Sequence, residues 1–340
     1  MKQVRAPHGR WQHFEVGGVP RIANMIQDWK KGGCDDLEIT RRLIDLFFVS
    51  VLLDAGSEYE RSEGIAVASL HMFNSLAFAA EKDAKTHLVD GKGLEQLKTD
   101  TLEKGFQVSD SNPMPGVDTR AGLLRSLGES LLAHSDVFGA EGRPGNLDIL
   151  QSLIIPIWPS DRTTIGRHPI GDAWPLSTLQ KQATSSDSKD SSAEYIQPFH
   201  KLTQWLTYSL IVPIQRVLGL QWTNTEFLTA LAEYRNGGLF VDLGVLSLKK
   251  EVLNRGLRAS GGQLPLFEAG DDVIVEWRVM TLVLIDKLYS MVLSRMNGVD
   301  LTLAQLLEAG TWKSGREVAT RRRPETKSSP IMIKSDGTVF

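Results

Sequence analysis

A single cysteine, Cys34, occurs in 340 residues. One thiol excludes an intrachain disulfide and a cysteine-built zinc centre. With no pKa-lowering surroundings evident from the sequence, Cys34 reads as an inert or surface thiol. No apolar run approaches the length of a membrane span, and the opening Met1-Lys2-Gln3-Val4-Arg5-Ala6-Pro7-His8 has no apolar segment of the signal-peptide kind. The expectation is a cytoplasmic protein with no membrane partner. Excess charge is also missing. A net charge of −3 and a pI near 6.2 provide no global basic field, so no nucleic-acid partner is expected. The basic run Arg321-Arg322-Arg323, with Lys313 and Arg316 nearby, reads as a solvated helix end ahead of a phosphate contact. The histidines His8, His13, His71, His87, His134, His168 and His200 are scattered singly, without the three- or four-residue spacings that put two ligands on one helix face. No metal is expected. There is no phosphate-cradling Walker loop, no dinucleotide glycine fingerprint and no Gly-x-Ser-x-Gly elbow, so no cofactor is expected either. Hydrolysis by carboxylates and water is the economical chemistry that remains.

The chain does have the composition for a large core, with 41% hydrophobic and 23% charged residues. Apolar residues recur near the 3.6-residue period over Leu37 to Leu53, Ile65 to Phe78, Asp118 to His134 with Asp118 as N-cap, Leu147 to Ile157, and Phe199 to Leu218. Pro213 in the last of these predicts a kink or break. Asp272 to Met296 is the clearest helix, with Val273, Trp277, Met280, Leu284, Leu288 and Val292 expected on one face. Gln180 to Glu194 is polar and reads as a mobile surface loop. The tail Ile331 to Phe340 alternates like a short strand with a turn. The strand–helix alternation of a parallel sheet is absent, so the fold is expected to be mainly α, with few short strands, and to form one domain over 1–340.

Four constellations place charge among apolar neighbours. The most informative is Glu233-Tyr234-Arg235-Asn236-Gly237-Gly238 followed by an apolar run that holds Asp242. Charged groups are seldom fully buried unless paired, and a Gly-Gly pair permits close backbone approach. The segment reads as a pocket wall, with a buried structural ion pair as the competing reading. The second is Pro198-Phe199-His200-Lys201-Leu202-Thr203-Gln204-Trp205, where Lys201 and Gln204 share a helix face. His200 reads as a structural hydrogen-bond partner ahead of a catalytic base. The third is Glu276-Trp277-Arg278, whose charges are either interior and paired or divided between solvent and a local partner. The fourth, Gly171-Asp172-Ala173-Trp174-Pro175, puts an acid beside an indole, with capping as the competing role of Asp172.

These words, together with Gly9-Arg10-Trp11-Gln12-His13-Phe14, Ser50-Val51-Leu52-Leu53-Asp54-Ala55-Gly56, Arg61-Ser62-Glu63-Gly64-Ile65-Ala66-Val67-Ala68-Ser69-Leu70 and Ser335-Asp336-Gly337-Thr338-Val339-Phe340, run in order along nearly the whole chain. In them the sequence resembles the uracil catabolism protein 4 family. That resemblance implies a role in a pyrimidine-degrading route that passes through a ribosylated urea and releases urea. A fainter likeness is to the queuosine salvage family, which hydrolyses the N-glycosidic bond of a nucleoside 5′-phosphate on a DNA-glycosylase-like helical fold. Lys201 and Gln204, then Glu233-Tyr234-Arg235, then Glu276 and Arg278 follow that family's order. Glu233 replaces its Asp, and Asn236-Gly237-Gly238 replaces its Val-Pro-Gln, which implies a different base pocket. Measured against the first family, the chain begins later and lacks a segment between Gly56 and Ser57, so less cover over the pocket is expected.

The expected reaction is hydrolysis of ribosylurea, or of its 5′-phosphate, to urea and the ribose or its phosphate. Glu233 is the expected catalytic carboxylate, with Asp172 and Asp242 as alternates, since a carboxylate stabilises oxocarbenium character and activates water. Arg235, Arg278 and Lys201 are assigned to a phosphate. Trp205 and Trp174 are assigned to stacking, Gln204 and Glu276 to hydrogen bonds with the urea, and His200 to the substrate-binding group. The competing function is a non-catalytic binding or scaffold protein for a pathway intermediate, with other pathway enzymes as partners. A DNA glycosylase is a third reading, which the acidic pI disfavours.

Overall fold

The computed structural model describes residues 9–54, 64–81, 88–143, 162–183, 193–296, 299–334 and 336–337. The helix expected over Leu147 to Ile157 and the centre of the loop expected over 180–194 lie outside these ranges. The helices of the first half are α1 (Trp11–Phe14), α2 (Arg21–Lys31), α3 (Asp36–Leu53), α4 (Gly64–Asn74), α5 (Gly91–Glu95), α6 (Thr99–Phe106), α7 (Val117–Ala133) and α8 (Ser135–Phe138). Two short strands, β1 (Thr164–Ile165) and β2 (His168–Pro169), precede β3 (Ala173–Pro175), α9 (Ser177–Ala183) and β4 (Ile196–Pro198). The second half holds α10 (Lys201–Leu218), α11 (Tyr234–Asp242), α12 (Lys250–Ala259), β5 (Leu266–Glu268), α13 (Asp272–Arg295), α14 (Leu303–Leu306), α15 (Lys313–Arg322) and β6 (Met332–Lys334). The described strands form three two-stranded sheets, and the protein is mainly α, as its periodicity predicts. No helix among the described residues is long and apolar enough to cross a membrane.

The core follows from which helices are apolar all round. In α3 every residue from Leu43 to Leu53 is buried, an apolar run with Asp45 and Ser50 as its polar members. Asp35 caps this helix by accepting the backbone N–H of Glu38 at 2.7 Å. Asp45 is satisfied by the Arg143 guanidinium at 2.9 Å. Helix α10 packs against α3 and continues as one element through Pro213, so the expected break does not occur; it ends at Gly219, which takes the left-handed conformation. Asp118 does not cap α7. Gly116 in the left-handed conformation precedes that helix, and Asp118 sits in its first turn, where an acid suits the helix dipole. In α13 the buried line runs through Ile274, Trp277, Arg278, Thr281 and Ile285, while Met280 is exposed. The apolar face expected from the sequence is therefore rotated, because a buried arginine and threonine occupy positions that hydrophobicity alone assigns to solvent.

Helices α5 and α7 cross closely at Gly128. A Cβ there would lie 2.5 Å from the backbone nitrogen of Glu95 and the backbone oxygen of Gly91. Gly122 on the same helix has only an Arg125 side-chain atom, at 3.8 Å. Gly128→Ala is expected to destabilise by about 1–3 kcal/mol through overpacking against backbone. Gly122→Ala is expected to stabilise by about 0.5–1 kcal/mol through helix propensity. Urea unfolding of the two variants checks the contrast, and equal effects would contradict this packing.

Candidate functional site

Three distant segments meet at one carboxylate. Asp172 lies in the turn before β3 and is only 2% exposed. Arg278 of α13 grips it as a fork, Nη1 to Oδ1 and Nη2 to Oδ2, both at 2.7 Å. The Trp174 indole N–H donates to Oδ1 at 2.8 Å, and the Lys201 backbone N–H donates to Oδ2 at 3.1 Å. The backbone N–H groups of Phe199 and His200 donate to the Asp172 carbonyl oxygen, at 2.9 and 3.0 Å. Burial pushes the Asp172 carboxyl up. The charge of Arg278 and the hydrogen bonds from Arg278, Trp174 and Lys201 outweigh burial and hold it at about 2. Arg278 is itself 2% exposed; its Nε donates to the Ala232 carbonyl at 3.2 Å, and its guanidinium lies 4.0 Å from the Phe199 ring centroid. The pair therefore joins β3, the start of α10, the segment before α11, and α13.

Glu233 follows directly from that anchor. It is the N-cap of α11, and its Oε2 accepts the backbone N–H groups of Arg235 at 2.8 Å and Asn236 at 3.1 Å. No described residue hydrogen-bonds Oε1. At 7% exposure the carboxylate is nearly sealed. It borders a narrow crevice, too tight to hold a water molecule, lined by Ala232, Glu233, Tyr234, Trp277, Arg278, Thr281 and Ile333. The crevice is tight enough that a ligand enters only if a wall moves. Ile333 is on the three-residue β6, which pairs in parallel with β5. The Trp277 indole nitrogen is buried without a hydrogen-bond partner among the described residues.

Lys201 and Trp205 lie on the adjoining side. The Lys201 ammonium is 5.5 Å from the Trp205 ring centroid, and the Arg10 guanidinium is 5.2 Å from the same ring. Burial lowers the Lys201 pKa; Glu233, Asp54 and Asp172 oppose it in that order, and Arg278 adds to the lowering. Arg10 is buried and ion-paired with Asp54 at the end of α3.

The structure thus brings Asp172, Trp174, Lys201, Trp205, Glu233 and Arg278 together. His200 enters through its backbone, with φ +43° at the start of α10. Gln204 is half-buried one turn beyond Lys201, and its Oε1 has no hydrogen-bond partner among the described residues. Three other residues point elsewhere. Glu276 is exposed. Asp242 is held by an Arg323 fork at 2.8 and 2.6 Å. Arg235 Nη1 donates to the Lys327 carbonyl at 2.5 Å. Asp242 and Arg235 therefore tie α11 to the segment after α15. The Gly-Gly pair serves packing too. A Cβ on Gly237 would lie 2.6 Å from Thr281 Oγ1 and 2.8 Å from Trp277 Nε1, so glycine there lets α11 approach α13.

Trp277, Thr281 and Ile333 line the crevice, yet the sequence reading gave them no role in the site. Trp277 stood inside the Glu276-Trp277-Arg278 word. Stepping three residues on from Arg278 reaches Thr281 on the same buried side, the signal that would have found it.

A profile described as a protein of unknown function (DUF1688) matches residues 2–150 and 147–340. Protein urg3 of Schizosaccharomyces pombe is 48% identical over 360 residues, covering 98% of this chain and 84% of that protein. Uracil catabolism protein 4 of Lachancea kluyveri is 42% identical over 379 residues, covering 98% of this chain and 85% of that protein.

Replacing one member of a buried pair strands its partner's charge, so Asp172→Asn is expected to cost about 3–5 kcal/mol in stability. The folded-state pKa of Asp172 is depressed. Its contribution is therefore present above the ordinary value of 3.8 and lost as pH falls through about 2. Thermal melts between pH 5 and pH 2 check this, and an acid-induced drop as large in Asp172→Asn as in the parent would contradict it.

Proposed function

Because this chain belongs to the uracil catabolism protein 4 family (DUF1688), we propose that it acts in uracil degradation as an N-glycoside hydrolase. Its substrate in this reading is ribosylurea or the 5′-phosphate of that compound, and its products are urea and ribose or ribose phosphate. The observation that carries the reading is Glu233. One of its oxygens is fixed by two backbone amides, and no described residue hydrogen-bonds the other beside the crevice. Breaking the C1–N bond leaves positive character on the sugar carbon. A rigid carboxylate nearby stabilises that charge and takes a proton from attacking water. Asp172 is unsuited to this work. Its oxygens are occupied by Arg278, Trp174 and the Lys201 amide, and it holds no proton in the neutral range. Its role is to position Arg278 and the start of α10. Asp242, paired with Arg323, is structural by the same reasoning.

The second reading is a protein that holds a pathway intermediate without turning it over. Urea release separates the two. The purified protein alone, given ribosylurea or its 5′-phosphate, is expected to release urea; a carrier releases none above the blank.

Glu233→Gln keeps an oxygen for the two capping amides, so its stability should fall by less than the ~1 kcal/mol typical of a lost cap. Its turnover should fall by about 10²–10⁴-fold. Melting curves beside urea-release kinetics check both halves, and near-parental turnover in a folded variant would remove Glu233 from the chemistry.

A further inference from the structure

Resting on the hydrolase reading above, we propose that Lys201 and Gln204 hold the ureido leaving group, and that Lys201 supplies its proton instead of binding a phosphate. Lys201 is 6% exposed, and among the described residues no acceptor hydrogen-bonds or ion-pairs its ammonium. The carboxylates of Glu233, Asp54 and Asp172 act on this ammonium, but none hydrogen-bonds it, which leaves its donors open to an acceptor on a ligand. One turn along the same face of α10, Gln204 Oε1 is a buried acceptor that lacks a donor. The complement of an ammonium beside an amide oxygen is a group with C=O and N–H side by side, as in a ureido or carboxamide group. A phosphate dianion fits poorly. The two arginines that would clamp it are committed, Arg278 to Asp172 and Ala232, and Arg235 to Lys327. The largest charge acting on Lys201 is the Glu233 carboxylate, which would repel a dianion.

The step balances. The water oxygen bonds to C1 while the C1–N bond breaks, with its electron pair leaving on the ureido nitrogen. Glu233 takes a proton from the water, and Lys201 gives one to the departing nitrogen. Transfer of a proton from Glu233 to Lys201 through solvent restores the starting state. Burial makes the ammonium a readier acid than an exposed lysine.

The test compares the parent, Lys201→Met and Gln204→Met on three substrates: ribosylurea, its 5′-phosphate, and p-nitrophenyl β-D-ribofuranoside, whose leaving group needs no proton. Lys201→Met is expected to lose about 10²–10⁴-fold in kcat/KM on both ureido substrates and less than about tenfold on the nitrophenyl riboside. A cooperative melt should show that the variant is folded, with a modest loss of stability because Glu233, Asp54 and Asp172 lose a nearby cation. Gln204→Met removes a buried unpartnered acceptor and should lose activity on the ureido substrates alone. A loss confined to the phosphorylated substrate would make Lys201 a phosphate ligand and overturn the proposal. An equal loss on the nitrophenyl riboside would overturn it as well. A parent enzyme that releases urea from neither ureido compound would instead overturn the hydrolase reading on which the proposal rests.

Discussion

The contact between Asp172 and Arg278 fixes the geometry of everything around it. These residues are 106 positions apart in sequence, and both are almost fully buried. An isolated carboxylate or guanidinium would not tolerate that environment. Together, with Trp174, the Lys201 amide and the Ala232 carbonyl filling the remaining hydrogen-bond positions, they do. The pair sets where α10 starts, which places Lys201. It also holds the carbonyl of Ala232, the residue before Glu233, against α13. The carboxylate and the ammonium on which the proposed reaction depends are thus each one step from the same anchor.

The helices were legible because their apolar period is strong and their starts are marked. Asp35 and Asp271 cap α3 and α13, accepting from Glu38 and Val273, whereas Asp118, the cap expected from the sequence, does not cap α7. The rotation of α13 was not legible, since Arg278 and Thr281 look like solvent-facing residues until a partner 106 positions away is known. The constellations around Asp172, Lys201 and Glu233 were identifiable as charges set among apolar neighbours. Their division of labour was not. An acid that anchors and an acid proposed to react look alike in sequence; they differ here in that Arg278, Trp174 and the Lys201 amide occupy Asp172, while no described residue hydrogen-bonds Glu233 Oε1. Arg323, which occupies Asp242, was read as part of a solvated helix end, so Asp242 kept a place among the acids that it loses on geometry. Of the Glu276-Trp277-Arg278 word, Glu276 lies in solvent, as the competing reading expects, but Arg278 pairs with Asp172, 106 positions away, and not with a local partner.

Satisfied and unsatisfied groups are sharply divided here. Asp172, Asp242 and Arg278 are bound in forks. Lys201 Nζ, Gln204 Oε1 and Trp277 Nε1 are buried or nearly so and have no hydrogen-bond partner among the described residues. Buried polar groups in folded proteins are overwhelmingly satisfied, so these exceptions, Trp277 in the crevice beside Glu233 and Lys201 and Gln204 one turn apart on α10, are the groups the proposal gives to a ligand. The nature of these groups, one ammonium, one amide oxygen and one indole N–H, favours a small polar ligand rich in carbonyl and amide character.

The most direct test is the position of bound ribosylurea in a crystal of the Glu233→Gln variant. The account predicts a ureido oxygen or nitrogen within hydrogen-bond distance of Lys201 Nζ and a ureido N–H donating to Gln204 Oε1, with the anomeric carbon facing residue 233. Ribosylurea bound away from α10, or with its 5′ end against Lys201 and its ureido group in solvent, would contradict it.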